Sequence, residues 1–175
     1  MSEFGRLLES EIPRLRRYAR ALTRNPAKAD DLVQSSLVRA LEKQHLWQPG
    51  SNLRAWLFTI MHNQHVNEVR KLLRQGSLQP VEEAEPVYVE PVADASLQLR
   101  DLQRAINTLS YEQREVLLLV GLEGMRYEQV ATILDIPVGT VRSRLSRART
   151  TLRLLMDGAK TANDRWSERC DDLAA

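Results

Sequence analysis

The sequence predicts an all-α protein, two small helical domains joined by a flexible, extended linker. Three observations carry that expectation. Leu, Arg, Ala and Glu dominate while aromatic residues reach only 5%, a composition that favours helix over sheet. Apolar residues recur at helical spacing over long stretches at both ends of the chain. Between them, Gln75 to Asp94 breaks the rhythm: Pro80, Pro86 and Pro91 each forbid an interior helix hydrogen bond, and Gly76 adds backbone freedom. The expected division is a first domain at 1–75, a linker at 76–95, a second domain at 96–157 and a tail at 158–175. A short edge strand at Val87–Val89 is the alternative for the linker.

Each element has its own justification. Pro13 suits a first helical turn, and Leu15, Tyr18, Ala19 and Leu22 repeat at helical spacing behind it. An additional short helix near Phe4–Leu8 is a further option. Asn25-Pro26 opens the second helix, whose Leu32, Val33, Leu37 and Leu41 form one apolar stripe. Gly50-Ser51 marks the third start, with Ser51 or Asn52 as the cap. Leu53, Trp56, Leu57, Ile60 and Met61 then make a dense apolar face running toward Val66 and Val69, which assigns Trp56 to the core and leaves Trp47 open. After the linker, Leu97–Asn107 and Ser110–Gly121 read as helices, with Ser110 and Gln113 spaced as a capping box. Tyr127–Leu134, a tight break at Asp135-Ile136-Pro137 and a long helix from about Val138 to Met156 follow. The tail from Gly158, with Trp166 and Cys170, is polar and reads as partly disordered, with no assigned role.

The net charge of +2 hides an uneven distribution. Residues 1–75 carry 13 bases against seven acids, residues 76–99 five acids and no base, and residues 100–156 nine bases against six acids. Two basic bodies joined by an acidic strap fit a nucleic-acid partner better than an enzyme. No apolar run approaches the ~20 residues of a membrane span. The N-terminus lacks the basic and apolar regions of a signal peptide, and one cysteine cannot form an internal disulfide. The expectation is a cytoplasmic protein without membrane insertion.

The break between the last two helices is the informative feature. A short helix, a three-residue turn and a second, Arg-rich helix is the layout of a helix-turn-helix. Ala131 is small where the two helices must approach, and Ile136 can fill the space between them. At 100° per residue, Val141, Leu145, Ala148, Leu152 and Leu155 share one face. Ser143, Ser146, Arg147, Thr150 and Arg153 lie opposite, with Arg142 and Arg149 along one edge. Small hydroxyl residues let a backbone approach a groove, and Arg can take a guanine edge or a phosphate. The helix start at Val138, Gly139 and Thr140 offers free N–H groups to a phosphate. No acid interrupts Pro137–Met156, so i,i+4 ion pairing does not account for the arginines.

At these residues the chain resembles a known family. LSYEQREVLLLVGLEGMRYEQVATILDIPVGTVRSRLSRAR resembles region 4 of the extracytoplasmic-function sigma factors of bacterial RNA polymerase, in the sigma-70 family. ADDLVQSSLVRALEK, followed by NLRAWLFTIMHNQHVNEVRK, looks like their region 2. The resemblance runs from about Ile12 to Leu155 and implies a transcription initiation factor. It implies that Asp30, Asp31, Leu32, Gln34 and Arg39 dock on the β′ clamp helices of core polymerase, and that the β flap is a second contact. It places Asn63, with His62 and Gln64, beside the melted −10 strand, where Arg70, Lys71 and Arg74 could supply a basic track. Arg142, Ser143, Ser146 and Arg147 match the −35 reading helix, with Thr140 and Arg149 as phosphate contacts. Promoter DNA and an anti-sigma factor are the further implied partners, with no cofactor.

Two other readings compete. A LuxR-type regulator would need a receiver or ligand domain with alternating strands, whereas residues 1–75 read as helical throughout. An enzyme or metal protein would need ligands or catalytic constellations. His62 and His65 stand at i,i+3, a spacing that can hold a metal, but His45 and Cys170 are the only other His or Cys. No HExxH, paired-carboxylate constellation or Gly-rich phosphate loop is present.

Overall fold

The computed structural model describes residues 3–74 and 97–172, with side chains described over 3–74 and 100–157. The expected linker, its edge-strand alternative at Val87–Val89 and the side chains of Trp166 and Cys170 lie outside the described residues. Among those residues every regular element is a helix. In order they are α1 (Glu3–Thr23), α2 (Pro26–Glu42), a 3₁₀ turn (Gln44–Leu46), α3 (Leu53–Arg74), α4 (Leu97–Thr108), α5 (Tyr111–Leu117), a π turn (Leu118–Leu122), α6 (Tyr127–Leu134) and α7 (Val138–Asp172).

The first three helices form one body. α1 runs unbroken through Pro13, so the start expected there falls ten residues earlier. Phe4 and Leu8 explain the extension, because both are buried and Phe4 packs on Trp47 and Trp56 at centroid distances of 5.4 and 6.2 Å. Both tryptophans therefore belong to packing. Pro13 is exposed, so water can serve the carbonyl it leaves without a helical donor. α2 starts with Pro26 in its first turn, and the Asn25 side chain accepts from the Lys28 amide at 3.0 Å. α3 is capped by Asn52, whose Oδ1 accepts from the Ala55 amide at 3.1 Å. Tyr18 and Phe58 meet edge to face at 4.9 Å in the centre. Arg54 clamps α3 to α1 through two bonds to Glu11, at 2.9 and 3.2 Å, and that pairing raises the guanidinium pKa.

The second body holds α4 to α7. Ser110 accepts from the Gln113 amide at 3.3 Å, one half of the expected capping box. The helix expected over Ser110–Gly121 widens after Leu117 into a π turn, with the Glu123 amide bonded to Leu118 O at 3.1 Å. That turn carries Glu123 inward, where its side chain is fully buried. α7 continues to Asp172 rather than ending near Met156. Its packing face is correspondingly shorter than the wheel implies: Val141, Leu145 and Ala148 are buried, but Leu155 is 41% exposed because the helix outruns its neighbours.

The two bodies share one apolar cluster, which runs from Phe4 to Leu145. α1 and α3 face the α5–π-turn–α6 side of the second body.

Candidate nucleic-acid interface

The helix-turn-helix is built by a left-handed residue. Asp135 closes α6 at φ 52°, ψ 48°, a conformation that Asp tolerates better than most residues. The Ile136 amide then reaches back to Ala131 O at 3.0 Å, and the Thr140 and Val141 amides take Pro137 O at 2.9 and 3.2 Å. At the other end of α6, the Gln129 side chain accepts from the Arg126 amide at 3.0 Å. Val130, Ile133 and Leu134 of α6 and Val141 and Leu145 of α7 are buried together, which fixes the rotation of α7 about its axis.

That rotation turns Arg142, Ser143, Ser146, Arg147 and Arg149 outward, with Thr140 half-exposed. Ser143 and Thr150 fold their hydroxyls back to Thr140 O and Ser146 O, each at 3.0 Å, leaving oxygen lone pairs outward. Among the described residues no carboxylate pairs with Arg142, Arg147 or Arg149. Arg144 differs: it bonds Glu112 at 3.1 Å and ties α7 to the start of α5. A cleft of about 260 Å³ opens between Tyr127 and the outward face of α7, lined by Arg142, Arg149 and Arg153 with Ser146 and Thr150. A bed of guanidinium groups and hydroxyls without an acid on its walls suits a phosphate. Thr150 and Arg153 belong to the outward face that helical spacing marks, whereas Tyr127 was not expected there, because it comes from α6, which spacing on α7 cannot reveal.

The second expected surface lies on α3. Asn63 is exposed and Gln64 half-exposed, while Arg70, Lys71 and Arg74 are exposed on the last turns. Basic residues there also favour the C-terminal end of the helix dipole. His62 is turned differently. Its Nδ1 lies 2.6 Å from Glu115 Oε1, and its side chain is 15% exposed. His65 stacks on Tyr111 at 5.2 Å, and burial lowers its pKa. Tyr111 OH donates to the same Glu115 oxygen at 3.0 Å, and burial followed by that carboxylate raises the Tyr111 pKa. The Tyr18 pKa is raised by its burial and then by Glu115. Both histidines are thus engaged across the seam between the bodies, and among the described residues no group of three or more metal-ligating side chains forms.

The third expected surface is α2. Asp30, Asp31 and Gln34 are exposed on one side. Leu32, expected on the docking surface, is instead buried at 1% exposure, so its place is in the core beneath that surface. Arg39 is exposed but pairs with Glu42 at 3.0 Å, about 80° further round the helix than Asp31. Val38 and Leu41, at 57% and 49% exposed, complete the face with Asp30 and Gln34. Leu41 was expected in the buried stripe; it lies at the stripe's edge, beyond the reach of α1 and α3.

Two helical bodies, the second presenting on a helix-turn-helix an arginine-rich helix with no acid from Val138 to Met156, define a two-domain, all-helical DNA-binding protein. Residues 8–62 match the family described as the Sigma2 domain of PhyR, and residues 99–152 match sigma-70 region 4. The chain is 42% identical over 156 residues to the ECF RNA polymerase sigma factor EcfG of Rhodopseudomonas palustris, covering 85% of this chain and 83% of the relative. It is 33% identical over 158 residues to the RNA polymerase sigma factor HrpL of Pseudomonas syringae, covering 86% and 85%. Among solved structures, the sigma factor RpoE of Bartonella quintana in complex with the anti-sigma factor NepR superposes with a TM-score of 0.79 at 38% identity, covering 90% of this chain and 98% of that one. CnrH, in complex with the cytosolic domain of CnrY, follows with a TM-score of 0.64 at 29% identity, covering 89% and 88%. The chain belongs to the extracytoplasmic-function (ECF) sigma factors of RNA polymerase.

Proposed function

We propose that this sigma factor docks core RNA polymerase through the outer face of α2, at Asp30, Asp31, Gln34 and Arg39, with Val38 and Leu41 adding apolar contact. Leu32 supports that face from beneath. The second body makes the β-flap contact and lays α7 in the −35 major groove. Arg142, Ser143, Ser146 and Arg147 meet base edges there, while Thr140, Arg149 and the cleft beside Tyr127 hold phosphates. Asn63, Gln64 and His62 of α3 receive the −10 strand, with Arg70 and Lys71 along its backbone. The domains are 1–75 and 96–157, joined by the linker at 76–95.

The observation that carries this reading is the outward row of α7 on a helix-turn-helix, Arg142, Ser143, Ser146, Arg147 and Arg149, whose arginines have no carboxylate partner among the described residues. The match of residues 8–62 to a sigma region 2 family removes the case for a LuxR-type regulator. Two of the similar solved structures are complexes, one named for an anti-sigma factor and one for CnrY, and they support a proteinaceous inhibitor for this chain as well. Among the described residues no helix is long and apolar enough to cross a membrane. The protein acts in the cytoplasm, beside polymerase, as a recognition factor and not as an enzyme.

In vitro transcription with bacterial core polymerase and a promoter pool tests the proposal. Start sites that depend on the added chain are the expected result, and their upstream sequences give the −10 and −35 elements. A core enzyme that gains no promoter activity from chain freed of inhibitor would reject polymerase docking and leave a DNA-binding protein.

A further inference from the structure

The seam between the two bodies is held by charge as well as by apolar contact. At one end Glu115 of α5, its side chain 3% exposed, receives His62 at 2.6 Å and Tyr111 at 3.0 Å. At another, the fully buried carboxylate of Glu123 receives Arg17 at 2.8 Å, with Arg14 at 3.8 Å; Arg17 also donates to Leu122 O at 3.3 Å. At the third, Arg114 donates to Leu22 O at 3.2 Å while Arg24 donates to Asn107 O at 3.0 Å. These links join residues far apart in the chain, from opposite sides of the linker.

The two carboxylates both come from the second body, and, apart from Tyr111 beside Glu115, the groups they engage, His62, Arg14 and Arg17, come from the first. A buried carboxylate is tolerated only where donors compensate its lost hydration. Glu115 and Glu123 are therefore matched to the closed arrangement, since solvated surface acids would have no need of these positions. The donors they occupy are groups that could otherwise face an acceptor or a phosphate on nucleic acid.

We propose that the second body is an intramolecular competitor: Glu115 and Glu123 latch it onto α1 and α3, so that the free chain closes on itself and withholds His62 from the −10 strand until the latch opens. The closure stands on the contacts alone; what it withholds rests on the function proposed above.

The test uses the full chain in a Cys170→Ser background, spin-labelled at Glu9→Cys and Thr132→Cys, both exposed positions on opposite bodies. Without any partner, the native latch should give one narrow distance distribution. Glu115→Gln combined with Glu123→Gln should lengthen and broaden it, and should raise affinity for a single-stranded oligothymidine probe several-fold. Arg17→Gln, which removes the partner and keeps both carboxylates, should open the chain as well, and it decides the matter if the double variant loses its helical circular dichroism. A broad, long distribution in the unsubstituted chain would overturn the latch, and so would unchanged distances in the variants. A closed chain that nevertheless fails in promoter-dependent transcription would count against the sigma function and leave the latch standing.

Discussion

Arg147 shows what one residue on α7 can decide. It is exposed, has no carboxylate partner among the described residues, and stands one residue from Ser146 on the outward face. If it reads a base, Arg147→Ala should cost about 1–3 kcal/mol on the cognate −35 duplex and little on a scrambled one. Equal losses on both, measured by fluorescence anisotropy at fixed salt, would make it a phosphate contact. Asp135 is the complementary case, a residue whose backbone matters more than its contacts. Its φ of 52° is disfavoured for residues with a branched β-carbon. Asp135→Gly should hold or raise the melting temperature, while Asp135→Val should cost about 1–2 kcal/mol through the left-handed penalty. A valine variant as stable as the parent would show that the turn can be remade in another conformation. Sequence reading placed the turn and the outward residues because both are local properties of spacing. It did not anticipate the buried Glu115, Glu123 and Arg114, since charges in a single sequence read as solvated until a second body is brought against them. The guanidinium of Arg114, pushed down to about 10 by burial and then by Arg24, has no local signature at all.

At the scale of elements, the helices were legible and their limits were not. Periodicity gave α2, α3 and α6 because each buries a face set by spacing of three and four. It could not say how far a face is covered, which depends on where neighbouring helices end. Leu41 of α2 and Leu155 of α7 are both on apolar stripes and both left in solvent for that reason. Similarly, Pro13 read as a beginning because proline is favoured at a first turn, yet Phe4 and Leu8 anchor helix on its far side. α2 turns this into a test. Exposed residues away from special features change stability by no more than ~0.5 kcal/mol, so Leu41→Ala should leave the unfolding midpoint nearly unchanged. It should nevertheless weaken binding to core polymerase, as should Asp31→Ala, while the full chain's affinity for −35 duplex stays the same. Polymerase affinity unchanged in both variants would remove α2 from the docking surface.

For the whole molecule, the packing of one body on the other makes stability depend on pH through His65. Its ring stacks on Tyr111 across the seam, and burial lowers its pKa from 6.5 more than the nearby Glu115 and Glu68 raise it; His62 and Lys28 push the same way as burial. The folded chain therefore takes up this proton at lower pH than the unfolded chain does. Above pH 6.5 the ring is neutral in both states and its share of stability is complete. As pH falls through 6.5 toward the lowered folded value, the unfolded chain binds a proton that the folded chain does not, and stability declines. His65→Phe keeps an aromatic ring against Tyr111 and removes the titration. Urea midpoints measured between neutral pH and the upper edge of the carboxylate range, about pH 5, should fall more steeply for the parent than for this variant. Carboxylates and other groups remote from the seam are common to both proteins and drop out of the comparison. Parallel profiles would mean that the His65–Tyr111 stack does not persist in solution, and with it would go one of the contacts that hold the two bodies closed.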